Sequence, residues 1–220
     1  LIGNYTKTNL ENLREVCNRH KISLKELNFR EEFGHSLCYI QSIVKQKGLP
    51  YKSCTTCGVL RRYLLNKYSK EFDVLVTGHN LDDEAQCFLM NIFRNDTKVA
   101  PRQGPVTGLG KSVKFTKRVK PLFNCLEKEV ETYSKLHNFP VNYEECPCSK
   151  DAYRKKFRKM LDGFEEEHPD VKYNIINFFL KMIHPMKSEE EVAVGTCEKC
   201  GEPSSNSVCK KCQILGMIKD

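Results

Sequence analysis

The chain has 220 residues, 40% of them apolar and 29% charged, with 12 cysteines and a formal net charge of +8. That length supports one domain of good size plus a small appendage, and no run of about 18 apolar residues marks a membrane span. The positive balance favours a polyanionic partner such as nucleic acid over a plain basic protein without one. Cysteines at this density without a secretory leader point to metal binding or thiol chemistry in a reducing, cytoplasmic setting, not to a disulfide scaffold. The sequence opens on Leu1 without a Met, so a segment upstream is expected.

In chain order, TNLENLREVCNRH reads as a helix with Leu10, Leu13 and Cys17 on one face, and with Thr8 and Glu11 spaced as a capping box. ISLKEL is a weak strand. SLCYIQSIVKQKG reads as a helix closed by Gly48, and GVLRRYLLNKYSKE as another just after the pair CTTC. FDVLV is the clearest strand and runs through TGHN into the helix LDDEAQCFLMNIFRN. A loop from Asp96 to Gly110 leads to a basic strand, SVKFTKRVKPL, then to the helix CLEKEVETYSKLHN and the short run PVNYEE. Two helical stretches follow from about Asp151 to Ile183 with a break at Pro169, and HPMKSEEEVAVGT reads as a linker. This alternation predicts an α/β fold, a Rossmann-like parallel sheet flanked by helices, with a zinc-ribbon-like module behind it. The expected division is a main domain over 1–184, a linker over 185–195 and a module over 196–220.

The cysteines sort into groups. Cys17, Cys38, Cys87 and Cys125 stand singly in apolar patterns and read as core thiols. Cys197, Cys200, Cys209 and Cys212 form two CxxC knuckles in a short polar tail that cannot build a core. A structural zinc held by four thiolates is expected to staple that tail, with no position left open for catalysis. Cys54 and Cys57 lie at a helix start, where the dipole lowers a thiol pKa, and Cys146 and Cys148 lie together in EECPCSK. On spacing alone, Cys54 and Cys57 fit a redox pair, half of a zinc site, part of an iron–sulfur cluster, or no function.

The turn VLVTGHNLDDE is the second informative place, because ligands of open α/β sheets sit beyond the carboxyl ends of the strands. Gly78 lets the backbone approach a ligand, Asn80 can cap the following helix, and Asp82 and Asp83 fall in its first turn, where carboxylates are favoured. That is a complete structural account of the motif. The functional account has Asp82 and Asp83 facing a nucleotide, its magnesium ion or a reacting base. KSVKFTKRVK, with five Lys and Arg, and KDAYRKKFRK, with six, suit either phosphate contacts or a solvated face.

The ordered motifs CTTCGVLRRYLLN, DVLVTGHNLDDEAQ, RQGP, KPL and EECP, followed by paired knuckles, resemble the TtuA/NcsA group of tRNA 2-thiouridine synthetases, within the PP-loop ATP pyrophosphatase superfamily. The resemblance runs from GNYTKTNLENL to the cysteine tail. It implies a PP-loop-type catalytic domain in which ATP with Mg2+ adenylates a uridine C2 oxygen and sulfur then replaces it. It also implies a [4Fe-4S] cluster held by three cysteines, mapping onto Cys54, Cys57 and Cys146, whose fourth iron is free to carry sulfide. Three ligands suit that role because a saturated cluster has no such site. Cys148 departs from the family pattern and keeps the identity of the third ligand open between Cys146 and Cys148, with Cys146, before the proline, preferred. A second zinc site, or a persulfide relay without metal, are the competing readings of this trio.

By the same resemblance Asp82 is the catalytic aspartate, while Gly78, His79, Asn80 and Asp83 line the nucleotide site. His79 is the weakest of these, since a lone histidine is often structural. Arg61 stands where the family carries a catalytic lysine; it keeps the charge but cannot exchange a proton near neutral pH, leaving it to stabilise negative charge. The family's SGGKDS-type nucleotide loop and N-terminal zinc segment would precede LIGNY, and without that loop ATP hydrolysis is not expected. The implied partners are tRNA and either a ubiquitin-like sulfur carrier or inorganic sulfide, with a homodimer common in the family. The wobble uridine is the expected target and the T-loop uridine the alternative; Cys, Asn and Met content leans away from a thermophile. Readings from other classes are a PP-loop enzyme acting on tRNA cytidine and a non-catalytic zinc protein that binds RNA.

Overall fold

The computed structural model describes residues 3–96, 103–108, 115–149, 152–189 and 195–218. Helices dominate it. The first, α1 (Gly3–Arg19), starts earlier than the capping-box expectation, so Thr8 and Glu11 lie inside the helix and cap nothing. Its Cys17 is buried while Leu13 is 48% exposed, so the apolar face is used only in part. Side-chain caps open the next two helices: Asn28 accepts from the Arg30 N–H at α2 (Phe29–Phe33), and Ser36 from the Tyr39 N–H at α3 (Leu37–Gln46). The following helix, α4 (Ser53–Tyr68), begins ahead of Cys54, which places the thiol pair in its opening turns. ISLKEL forms no strand; Ile22 and Leu27 are exposed, and among the described residues no strand pairs with them. PVNYEE is likewise irregular.

Three short strands form the main sheet in the order β1 (Val74–Val76), β3 (Lys117–Val119), β2 (Val106–Thr107). β1 and β3 are parallel with Leu75 opposite Arg118, and α5 (Leu81–Phe93) begins the crossover that a parallel pair requires. β2 is antiparallel to β3, with Val106 opposite Val119, so the sheet is mixed. The antiparallel member comes from the segment read as a loop. There Gly104 and Gly108, at φ 117° and 78°, take conformations that only glycine adopts without strain, and a Cβ on Gly108 would sit 3.2 Å from the Thr116 carbonyl oxygen. The first residues of the predicted basic strand, 112–114, lie outside the described residues.

The larger core gathers Leu81, Ala85 and Phe88 of α5 with Phe123, Leu126, Leu161, Ile176, Phe179 and Ile183. Each fully buried member, such as Leu81 or Ile176, contributes about 1.5–3 kcal/mol of transfer free energy. Leu126 precedes α6 (Glu127–Leu136), and the remaining members come from the turn after β3, from α7 (Arg154–Glu167) and from α8 (Val171–Glu189). The helix break at Pro169 is as expected, but α8 runs to Glu189, through the opening positions of the expected linker.

A second core joins Ile40 and Val44 of α3 and Leu60 of α4 to Ile214 of α9 (Lys210–Gly216). The cysteine tail, with its small hairpin of β4 (Gly195–Thr196) and β5 (Pro203–Ser204), is therefore packed on the main body. Of the four thiols expected in the core only Cys17 is buried. Cys87 and Cys125 are half-buried, and Cys38, in the opening turn of α3, is exposed. Among the described residues no helix is long and apolar enough to cross a membrane.

Candidate functional site

The C-terminal thiols converge. Cys197, Cys200, Cys209 and Cys212 place their sulfurs within 4.8 Å of one another, and Cys200 and Cys209 are 3.7 Å apart. Tetrahedral zinc–thiolate bonds of about 2.3 Å call for sulfurs about 3.8 Å apart, so the set fits such an ion. The Cys209 N–H donates to Cys197 Sγ at 3.3 Å, which with neighbouring amides brings Cys197 down to about 6, while burial pushes Cys212 up to about 12. Four crowded thiols cannot all ionise against one another; a divalent cation removes that obstacle.

The other trio is gathered differently. Cys54 and Cys57 project from the first turns of α4, and Cys146 precedes a 3-10 turn (Pro147–Ser149) that packs on α4. Burial raises the Cys57 thiol and Arg61 opposes it, with Cys146, Cys54 and Arg62 also close enough to act. Cys54 Sγ lies 3.6 Å from the Cys148 carbonyl oxygen, and Cys148 is within electrostatic reach of Cys146, Cys38, Cys54 and Cys57. Among the described residues only the C-terminal four meet the spacing for a single ion. Cys54, Cys57 and Cys146 do not meet that spacing as a set.

Beyond the carboxyl end of β1, the turn residues have distinct roles. A Cβ on Gly78 would meet nothing within 4 Å, so packing does not demand glycine there. Asn80 caps α5 in a reciprocal box with Asp83. The Asp83 carboxylate also holds Arg154 at 2.6 Å, and His79, whose Nδ1 is 3.0 Å from Thr77 Oγ1, is lowered by desolvation against the opposing charge of Asp83. Asp82 turns away. It is 4% exposed, accepts the Glu127 N–H at 2.6 Å and pairs at 2.5 Å with Lys172, which Asp162 and Glu165 also bind at 3.0 Å. Burial pulls Lys172 down, but the three carboxylates outweigh it and hold the ammonium above its ordinary value.

Several cations of the basic stretches and of the helix after Cys57 lie near these groups, though the sequence assigns none of them an individual role. Arg62 and Arg118 are both lowered, first by desolvation, and Arg62 further by the like charges of Arg61, Arg118 and Arg154. Lys120 pairs with the buried Glu84 at 2.7 Å. Half of KDAYRKKFRK is engaged internally: Arg154 with Asp83, Lys155 with Glu145, Arg158 with Glu127. A cavity of about 380 Å³ is lined by Cys146, Glu127, Arg154, Tyr143 and Ser149 among others, so the cysteine turn and Arg154 open on one space.

Glu127 is raised, first by burial, and Asp82 and Asp83 add to this while Arg158 opposes it. A folded-state pKa above the unfolded one favours the protonated form. Its contribution to stability is therefore full below the ordinary 4.5 and lost as pH rises through the folded value. Glu127→Gln is expected to flatten that loss, measured by urea unfolding at a series of pH values from 4.5 upward.

No family profile matches the chain. Individual proteins do. It is 37% identical over 217 residues to a probable sulfurtransferase of Methanocaldococcus jannaschii, covering 94% of this chain and 60% of that one. It is 31% identical to the tRNA 2-thiolation protein NcsA of Haloferax volcanii, covering 99% and 70%, and 32% identical to the tRNA-5-methyluridine(54) 2-sulfurtransferase of Thermus thermophilus, covering 99% and 66%. Among solved structures, the U34-tRNA thiolase NcsA from Methanococcus maripaludis with its [4Fe-4S] cluster superimposes with a TM-score of 0.74 at 31% identity, over 94% of this chain and 64% of that one. The chain spans about two thirds of the length of these relatives. Identity above 30% across nearly every residue, together with the shared fold, places it: the chain belongs to the TtuA/NcsA family of tRNA 2-thiolation proteins.

Proposed function

We propose that this protein is an ATP-dependent tRNA-uridine 2-sulfurtransferase acting on the wobble uridine. The observation that carries the proposal is the approach of Cys54, Cys57 and Cys146, from distant stretches, beside a cavity that Asp83's partner Arg154 also lines. A [4Fe-4S] cluster on these three thiolates would supply a soft sulfur nucleophile. Cys54 and Cys57 would hold it on α4 and Cys146 across from them. Arg61 and Arg62, both near Cys57, would stabilise charge on the activated oxygen or its phosphate, and Arg118 is a third cation near Arg62.

Gly78, His79, Asn80 and Asp83 would border ATP and its Mg2+, as their place beyond β1 suits. Asp82, placed by resemblance as the catalytic aspartate, would act by fixing the start of α5 through Lys172, with Asp83 on the reacting side. Zinc on the C-terminal four cysteines completes the cofactor set. The same reading gives tRNA as substrate, inorganic sulfide or a ubiquitin-like carrier as sulfur donor, a cytoplasmic location, and a catalytic domain over 1–184 followed by the module at 196–220.

Anaerobic purification followed by iron and acid-labile sulfide assay tests this. The expected result is about four of each per chain, together with 2-thiouridine at the wobble position of tRNA treated with ATP and sulfide when the protein carries the nucleotide loop expected ahead of Leu1. Zinc without iron would leave only an RNA-binding module. Thiolation mapped to the T-loop would move the target, as the 5-methyluridine(54) relatives illustrate.

A further inference from the structure

We infer that the four-cysteine module is a brace for α4, holding Cys54 and Cys57 in place against Cys146, so that metal bound in the tail governs how firmly the distant thiol site keeps its own. The consequence for the thiol site rests on the cluster reading above; the bracing itself does not.

The helix α4 spans 16 residues, about 24 Å, with the thiol pair at its N-terminal end. The module grips it along the remaining turns. Leu60 and Ile214, both fully buried, meet in one apolar cluster. Lys211 Nζ lies 4.2 Å above the Tyr63 ring, Asn66 Nδ2 donates to Glu202 Oε2 at 3.1 Å, and Glu202 also pairs with Lys70, just past the helix end. The module is anchored to α3 and the loop before α4 as well: Lys47 Nζ donates to the Met217 carbonyl at 2.7 Å and Tyr51 Oη to Gln213 Oε1 at 3.2 Å.

At its own start α4 is held by Gln41 Nε2, which donates to the Ser53 carbonyl at 3.2 Å, and by Cys54 against the Cys148 carbonyl, and it lacks end stabilisation of its own. Lys52 at the N-cap offers no side-chain cap and no acid lies in the first turn. Among the described elements, α4 packs most on α9 and next on the 3-10 turn beside Cys146. The helix is therefore clamped between the module and the third thiol.

The brace depends on metal because α9 is only 7 residues long, too short to persist alone. It is tied to the rest of the module through Cys209, its N-cap, and Cys212, one turn on. Releasing those thiols frees Ile214 from its cluster and leaves α4 supported by α3 and the 3-10 turn alone.

Hydrogen exchange of the amides of α4 in the full chain, zinc-loaded and iron-free, reads the brace whether or not a cluster binds. Two undocking variants, Ile214→Ala and Glu202→Gln, are compared with the unaltered protein, and zinc content is checked in each. The expected result is exchange at residues 53–68 about tenfold faster in Ile214→Ala, with a smaller change in the same direction in Glu202→Gln. In anaerobic, iron-loaded protein, loss of the cluster's visible absorbance to an external chelator should accelerate in the same order. Unchanged exchange in α4 while α9 itself exchanges freely would overturn the proposal. Absence of iron from the unaltered protein would instead count against the cluster reading and leave the exchange result standing.

Discussion

Cys54→Ala, Cys57→Ala and Cys146→Ala are each expected to strip the proposed cluster iron from the protein, and Cys148→Ala to keep it. Three thiolates hold a cubic cluster and leave one corner free; losing Cys146 leaves two ligands on a single helix and no hold across the fold, and losing Cys54 or Cys57 leaves one ligand on each side. Even a partner outside the coordination shell of a metal typically costs about 10–100-fold when removed. In protein carrying the nucleotide loop expected ahead of Leu1, thiolation by these three variants should therefore fall by at least about a hundredfold. Cys148 shares a 3-10 turn with Pro147, and its backbone carbonyl meets Cys54. That contact survives truncation to alanine. Iron assay, visible absorbance and mass-spectrometric detection of 2-thiouridine check the series. Iron retained in Cys146→Ala and lost in Cys148→Ala would exchange the two residues' roles. Zinc content should stay constant throughout, because the C-terminal four thiols form a separate group.

Lys172→Met is the second large effect, and it is one of stability. Lys172 is 2% exposed and neutralises Asp82, itself 4% exposed, along with Asp162 and Glu165. Taking the ammonium away leaves the Asp82 carboxylate buried without its counter-charge, which costs about 3–5 kcal/mol. Against a total of about 5–15 kcal/mol, that is a substantial part of the margin, and at about 2–4 °C per kcal/mol for a chain of this size it lowers Tm by roughly 10 °C. Asp82→Asn should cost less, since two carboxylates still serve Lys172. Combining it with Lys172→Met should recover part of the loss, a coupling that a double-mutant cycle in urea measures. The alternative, in which Asp82 acts only on substrate, predicts additive losses and an unshifted Tm for Asp82→Asn.

The sequence determined the helices whose apolar residues recur at helical spacing, the capped start of α5 at Asn80, and the four-cysteine module, because these depend on local pattern and short spacing. Ordered motifs carried the family and named the thiol trio. It could not show that Asp82 and Asp83, adjacent in the chain, face different surroundings. Successive helical residues point about 100° apart, and only the packing of α7 and α8 on α5 sends one carboxylate to buried Lys172 and the other to Arg154. Nor could it separate core thiols from exposed ones, since Cys17 and Cys38 sit in similar apolar patterns but only one is covered by another element. The hairpin between β2 and β3, the seating of Ile214 among residues of α3 and α4, and the convergence of Cys146 on α4 were likewise decided by tertiary structure. Each depends on contacts between residues far apart in the chain, and local propensity carries no record of such contacts.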